Sequence, residues 1–430
     1  MSENKKLSLA EVISMAVGTM IGASIFSIFG VGAKIAGQNL PLAFILSGFF
    51  ALVVAYSYAK LGGKIVSNAG PIAFILKGIG DSVITGALSM LIWMTYVVSI
   101  GLFAKGFAGY FLPLFHIPVT PLASGLNIVV VISFFTVLNF FGSKAVGEAE
   151  FYIVLLKIAI LGIFIVFGFI TVHPASVMPH FTSGPLKGTL NASVVFFLSY
   201  MGFGLITNAS ENMKNPEKNI PRAIYISIAI VLVIYVCVSV VAVGNLSIEQ
   251  IIKSQENALA EASKPFLGKF GFLLISIGAL FSISSALNAT LFGGANIAYS
   301  LAKDGELPEI FERKLWFKST EGLYITAGLG IFFALLFNMS EIASITSSIF
   351  IIIYLFVIIS HFLIAKEYGG NRPLILVNFS VISAVFLAMM YFQYRQERIA
   401  FYGTLLTIAG ALLVECFFRY VRKRKMISKE

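Results

Sequence analysis

Phe151-Tyr-Ile-Val-Leu-Leu-Lys157-Ile-Ala-Ile-Leu-Gly-Ile-Phe-Ile-Val-Phe-Gly-Phe-Ile170 is an apolar run interrupted by one lysine. It is about long enough to cross a bilayer as a single helix. Lys157 stands seven residues beyond Glu150, roughly 10 Å at helical rise, so its ammonium cannot easily snorkel to the interface. A charge at that depth costs at least ~2.5–3.5 kcal/mol, which only a bundle interior or a watery cavity offsets. Burial also penalises the charged form of an amine, which makes Lys157 a candidate proton carrier. The plainer reading is a lysine paired with a carboxylate for packing alone. No Asp or Glu stands at matching depth in the other apolar runs.

Such runs recur along all 430 residues, of which 58% are hydrophobic and only 12% charged, about half the charge share of a soluble domain. Twelve spans are predicted near 9–35, 40–61, 79–111, 120–141, 149–171, 188–211, 221–244, 265–301, 322–338, 341–365, 374–393 and 398–420. The expected fold class is an all-α integral membrane protein with no soluble domain between spans. The first run lacks a small-residue cleavage site and is read as a retained helix. Cys237 and Cys416 both fall inside spans, so no structural disulfide is expected.

A net charge of +10 invites a nucleic-acid reading, but the charge is distributed by loop. With the N-terminus inside, cytoplasmic segments hold 21 Lys/Arg, while outer segments hold seven: Lys34, Lys187, Lys253, Lys264, Lys269, Arg395 and Arg398. That asymmetry predicts both termini in the cytoplasm, with the protein in the plasma membrane. The basic tail Arg419-Tyr-Val-Arg-Lys-Arg-Lys425 reads as a topology anchor facing anionic lipid, and no nucleic-acid partner is expected. Lys105, about two turns from Pro113, can snorkel.

Two spans carry glycines and hydroxyls at mid-membrane: Gly18-Thr-Met-Ile-Gly22-Ala-Ser24 in the first and Ser199-Tyr-Met-Gly202-Phe-Gly204 in the sixth. Glycine weakens a helix by ~1 kcal/mol relative to alanine, and hydroxyls can satisfy freed backbone groups. Either segment could open into a short extended stretch, or could simply pack closely against a neighbour. As a pair they say more. Five spans separate them, so spans one to five and six to ten read as two five-helix repeats, the second inverted because the number per repeat is odd. The expected division is 1–173, 174–367, and 368–430 for two accessory helices and the tail. Half-helix ends at the midplane would offer free N–H groups on one side and free carbonyls on the other, a match for a small zwitterion.

With these residues in hand, nearly the whole chain resembles the amino acid–polyamine–organocation superfamily. The resemblance rests on Met20-Ile-Gly-Ala-Ser-Ile-Phe26, Phe196-Phe-Leu-Ser-Tyr-Met-Gly-Phe203 and, most specifically, Asn215-Pro-Glu-Lys-Asn-Ile-Pro-Arg-Ala-Ile224. The Lys157 segment and Ile275-Ser-Ile-Gly-Ala-Leu-Phe-Ser-Ile-Ser-Ser285 are similar to a proton-coupled archaeal member. The resemblance implies the leucine-transporter-like inverted repeat, with spans eleven and twelve outside it. It implies a substrate carboxylate on the backbone N–H groups of Gly22, Ala23 and Ser24, and an ammonium on the carbonyls of Met20, Leu198, Ser199 and Met201. Sodium-coupled relatives hold a cation between spans one and eight. Here the resemblance implies the Lys157 ammonium in its place, touching backbone at Gly18 and hydroxyls at Ser282 and Ser285. Many relatives have an acidic residue after the sixth-span Gly-Phe, where this chain has Gly204.

Tyr200, Met94 and Phe197 are candidate pocket walls, although apolar core explains each. His361 is read as interfacial, and His116, His173 and His180 fall in predicted outer loops. No metal-ligand spacing, catalytic triad or phosphate loop appears, so neither an enzyme nor a metal or organic cofactor is expected. The leading expectation is proton-coupled symport of amino acids by alternating access, with broad specificity. The alternative is an exchanger in which Lys157 stays permanently charged. Expected partners are amino acids, protons and membrane lipids; the sequence does not set the oligomeric state, and function as a monomer is compatible with it.

Overall fold

The computed structural model describes residues 6–67, 69–140, 144–303, 307, 309–313 and 321–421. Of Ala23, Phe140 and residues 144–151 only the helical backbone is described. The helices are α1 (Leu9–Ser27), α2 (Phe29–Ala36), α3 (Leu40–Gly62), α4 (Pro71–Ile79), α5 (Val83–Leu114), α6 (Pro121–Phe140), α7 (Lys144–Phe169) and α8 (Ser183–Phe196). After a 3₁₀ stretch, Phe197–Phe203, come α9 (Gly204–Asn208), α10 (Pro216–Asn245), α11 (Ile248–Ser254), α12 (Ala258–Lys303), α13 (Glu321–Leu336), α14 (Met339–Tyr368), α15 (Arg372–Gln396) and α16 (Arg398–Cys416). Among the described residues the only strand-like pairing is one isolated bridge, Leu7 to Met213.

This helical monotony follows from composition. Backbone groups in hydrocarbon must be satisfied within their own segment, which leaves the helix as the spanning solution for runs this apolar. Among the described residues eleven helical stretches are long and apolar enough to cross a membrane. The sixteen-residue α13 makes the twelfth expected span, shorter than the ~20 residues a span usually takes. The helix starts are written in the sequence. Ser8 accepts from the Glu11 N–H while Glu11 accepts from the Ser8 N–H at 2.7 Å, a capping box repeated at Ser247 with Gln250 and at Asn338 with Glu341. Asn215, with φ of 45°, turns the chain into Pro216 at the start of α10.

Two bends set the central geometry. Ile28 (φ −105°, ψ 6°) separates α1 from α2. Gly268, with φ of 62°, kinks α12, so that the eighth span proper begins just after it. α1 lies at the centre, packed against the 3₁₀ stretch and against α5, α7, α10 and α12. The periphery is different: Leu122, Leu126, Val130 and Phe134 form an exposed apolar stripe on α6, one residue per turn, as a lipid-facing surface requires. Buried polar side chains tie helices across the interior. Trp93 donates to Thr326 (3.0 Å), Asn139 to Asn288 (2.8 Å) and Ser347 to the Val194 carbonyl (2.7 Å). Arg419 is paired with Asp81 and Glu415, whereas residues 422–425 of the basic tail lie outside the described residues.

Candidate functional site

Lys157 is 2% exposed, and its Nζ donates to the Gly18 carbonyl at 2.6 Å. One turn along the same helix, the Gly22 carbonyl accepts from Ser282 Oγ at 2.9 Å. Carbonyls four residues apart lie on one face of a helix, so α7 and α12 grip α1 at adjacent points along a single edge. Each carbonyl has two lone pairs and spends one on its own helical N–H, which leaves the second for these donors. Gly22 makes the approach possible: a Cβ there would lie 3.1 Å from Ala286 Cβ and 3.7 Å from Lys157 Nζ. Ser285, buried, follows Ser282 at three residues on the same face of α12. Of the contacts expected for the Lys157 ammonium, the one to the Gly18 carbonyl is present, while the Ser282 hydroxyl goes to the Gly22 carbonyl of the same helix.

The expected opening of the first span at 18–24 is absent. α1 runs unbroken through Gly22, Ala23 and Ser24, and its break comes four residues later at Ile28. Local and tertiary bonds explain the continuity. Thr19 Oγ1 returns to the Met15 carbonyl (2.9 Å) and Ser24 Oγ to that of Met20 (2.8 Å), while Lys157, Ser282 and Tyr235 cap carbonyls from outside. Gly22 serves close packing here. The N–H groups of residues 22–24 are accordingly inside a helix.

The sixth span is interrupted where expected, from Phe197 to Phe203, but as a 3₁₀ helix rather than an extended stretch. This tighter winding changes which carbonyls its N–H groups meet. Gly202 sets the distance to α1, because a Cβ there would fall 2.7 Å from Met20 Cγ and 3.0 Å from Met20 N. Leu198 is half-buried, Ser199 and Met201 are buried, and all three sit on this stretch. Tyr200 is fully buried and its hydroxyl donates to the Phe44 carbonyl of α3 at 2.9 Å. Phe197 packs edge-on to Tyr354, as part of an aromatic core.

Sequence reading missed Tyr235. From α10 its hydroxyl reaches the Met20 carbonyl (2.5 Å), the Ser199 carbonyl (3.2 Å) and Ser24 Oγ (2.8 Å). It therefore touches both central segments at once. The only signal was a phenol in the middle of a mostly aliphatic seventh span that carries a second one at Tyr225, a common core residue. His361 was misplaced: it is fully buried, with Nδ1 3.0 Å from Ser57 Oγ and Nε2 3.0 Å from the Gly369 carbonyl. Because a carbonyl only accepts, Nε2 carries a proton, and the histidine pins α14 to α3 and to the turn that follows it.

Among the described residues, eleven helices long and apolar enough to cross a membrane and the shorter α13 surround a buried lysine and a tightly wound central segment, the build of a multi-pass membrane protein. The chain belongs to the amino acid permease family, whose model matches residues 7–414. It is similar to Uncharacterized protein MJ0609 of Methanocaldococcus jannaschii, 64% identical over 422 residues that cover 98% of this chain and 97% of that one. Inner membrane transport protein YbaT of Escherichia coli is 32% identical over 98% of the chain and 97% of its own length. The Methylthioribose transporter of Bacillus subtilis is 26% identical over 100% of the chain and 97% of its own.

Proposed function

We propose that the protein is a proton-coupled symporter of neutral amino acids, working by alternating access in the plasma membrane with both termini cytoplasmic. Residues 1–173 and 174–367 act as the two inverted halves, with 368–430 outside the repeat. The observation that carries the reading is the buried Lys157 ammonium on the Gly18 carbonyl of α1. Protonated, the amine donates to backbone and holds α7 against α1. Neutral, it loses most of that attraction and frees α1 to move. Proton release and helix release are then one event, as a coupled carrier needs, since a ligand shifts a conformational equilibrium only through different affinities for its states.

The substrate carboxylate goes to the N–H groups of Gly22, Ala23 and Ser24, which requires α1 to open locally from the continuous helix seen here. Glycines at 18 and 22 lower the cost of that opening. The ammonium goes to the carbonyls of Met20, Leu198, Ser199 and Met201. A site built on backbone holds the part that all α-amino acids share, so side chains are discriminated weakly. Several neutral amino acids should therefore compete for uptake into proteoliposomes. Analogues lacking the α-carboxylate or α-amine should compete poorly, because each strands a buried polar group at a cost of ~1–3 kcal/mol. That cost corresponds to roughly 5- to 150-fold weaker inhibition. Equal competition by a decarboxylated analogue would sink the proposed site.

A further inference from the structure

Tyr235 links two segments that no hydrophobic contact needs a phenol to link. Its hydroxyl oxygen sits 2.5 Å from the Met20 carbonyl and 3.2 Å from the Ser199 carbonyl. These are two of the four carbonyls assigned above to the substrate ammonium. The side chain is fully buried, and its ring is held by Tyr200 at 5.4 Å and Phe44 at 5.2 Å between centroids. Counting protons shows how the spot is filled. Tyr235 and Ser24 bring one hydroxyl proton each, and four acceptors surround them: the two carbonyls and each other's oxygens. A substrate ammonium brings three N–H donors to the same carbonyls. It would satisfy them more fully than the phenol, but it cannot occupy hydrogen-bond positions that the phenol still holds.

We propose that Tyr235 is a tethered donor that fills the ammonium position of the empty carrier, and that substrate binds by displacing its hydroxyl from Met20 and Ser199. This inference rests on the amino acid reading above. It assigns the tyrosine a role opposite to that of a binding residue: it competes with the ligand. The tie also crosses from α10 to both α1 and the 3₁₀ stretch, so displacement loosens the two central segments at the moment the ligand arrives. With the Ser24 hydroxyl donating to Met20 and the single phenol proton to Ser199, both carbonyls keep a donor when no ammonium is bound.

The test is equilibrium binding of a radiolabelled neutral amino acid to purified wild-type protein and to Tyr235→Phe, which removes one oxygen and keeps the ring. The expected result is about 2- to 10-fold tighter binding by the variant, the ratio that one net hydrogen bond supplies. The corresponding acid with hydrogen in place of the α-amine, measured by competition, should gain nothing, because it brings no donor to the vacated carbonyls. Equal or weaker amino acid binding by a monodisperse variant overturns the inference and makes the tyrosine a structural tie or a direct ligand contact. Equal gain by the deaminated acid overturns it too, because the gain would then be steric. Should Phe at 235 fail to fold, Tyr235→Met also lacks the donor and is held to the same outcomes. If the wild-type protein binds no amino acid, the functional reading falls, and this inference with it.

Discussion

Lys157→Ala should reduce the accumulation of amino acid in proteoliposomes to equilibration, an inside-to-outside ratio of one, under any imposed proton gradient. The variant removes the titrating amine and leaves the Gly18 carbonyl without its 2.6 Å donor. Lys157→Arg should fail almost as completely. A guanidinium keeps its charge at every physiological pH, so it can mimic only the protonated state. It is also larger and planar, and the space beside Gly22 is close-packed, with Ala286 3.1 Å from where a Cβ would sit. Both variants must first be shown monodisperse in detergent, with melting temperatures near that of the wild type. Uptake is then followed with a pH gradient and with preloaded substrate. Proton-driven accumulation by well-folded Lys157→Arg with normal pH dependence would move the carrier role to another group. Exchange that survives in Lys157→Arg while net uptake is absent in the wild type would favour the exchanger, in which the lysine acts as a fixed cation.

Gly202→Ala should cost about 1–3 kcal/mol of stability, the usual penalty of overpacking a tight interior, and should abolish substrate binding. The added methyl would fall 2.7 Å from Met20 Cγ, 3.0 Å from Met20 N and 3.1 Å from the Ala16 carbonyl. Two of those are backbone atoms of α1, which can yield only if the helix moves as a unit. That movement would separate Met20 from Ser199 and Tyr235, the contacts from which the proposed site is built. Gly204→Ala is the control. Its methyl would meet Tyr58 Cε1 at 3.8 Å, an ordinary contact, and position 204 opens α9, where alanine is up to about 1 kcal/mol the better helix former. Thermal melting in detergent with and without substrate should show Gly202→Ala destabilised and unresponsive to ligand, and Gly204→Ala at or above wild type. Equal behaviour of the two variants would mean that the approach of the sixth span to α1 does not set the site.

The architecture was legible because each span is a long apolar run and the bilayer permits few alternatives. Lys157 was legible for the same reason: one charge in such a run is conspicuous, and its depth alone demanded a partner in the interior. Ser282 and Ser285 were named through the family resemblance of Ile275–Ser285, since spacing alone fits a hydroxyl bonded back to its own helix equally well. The state of the first span was not legible. Whether Gly18-Thr-Met-Ile-Gly22-Ala-Ser24 is helical depends on what lies across from its carbonyls, and those partners come from residues 157, 235 and 282, far away in the chain. The sixth-span interruption was found but its winding was not, since glycine and serine license both 3₁₀ and extended backbone. Tyr235 escaped because a tyrosine in a membrane core is usually packing, and only the fold reveals where its hydroxyl ends. His361 was read as interfacial from its place near a span end. Its burial follows from the way the turn at Gly369 and Gly370, both with positive φ, folds back over its ring.

In the proposed cycle, a proton carried by Lys157 drives amino acid uptake. The most direct measurement is uptake of a labelled neutral amino acid into proteoliposomes, with pH and sodium gradients imposed one at a time at fixed membrane potential. An inward proton gradient should drive accumulation well above equilibration, and replacing sodium by potassium or choline should change nothing. Concentrative uptake driven by a sodium gradient at equal pH on both sides would contradict the account.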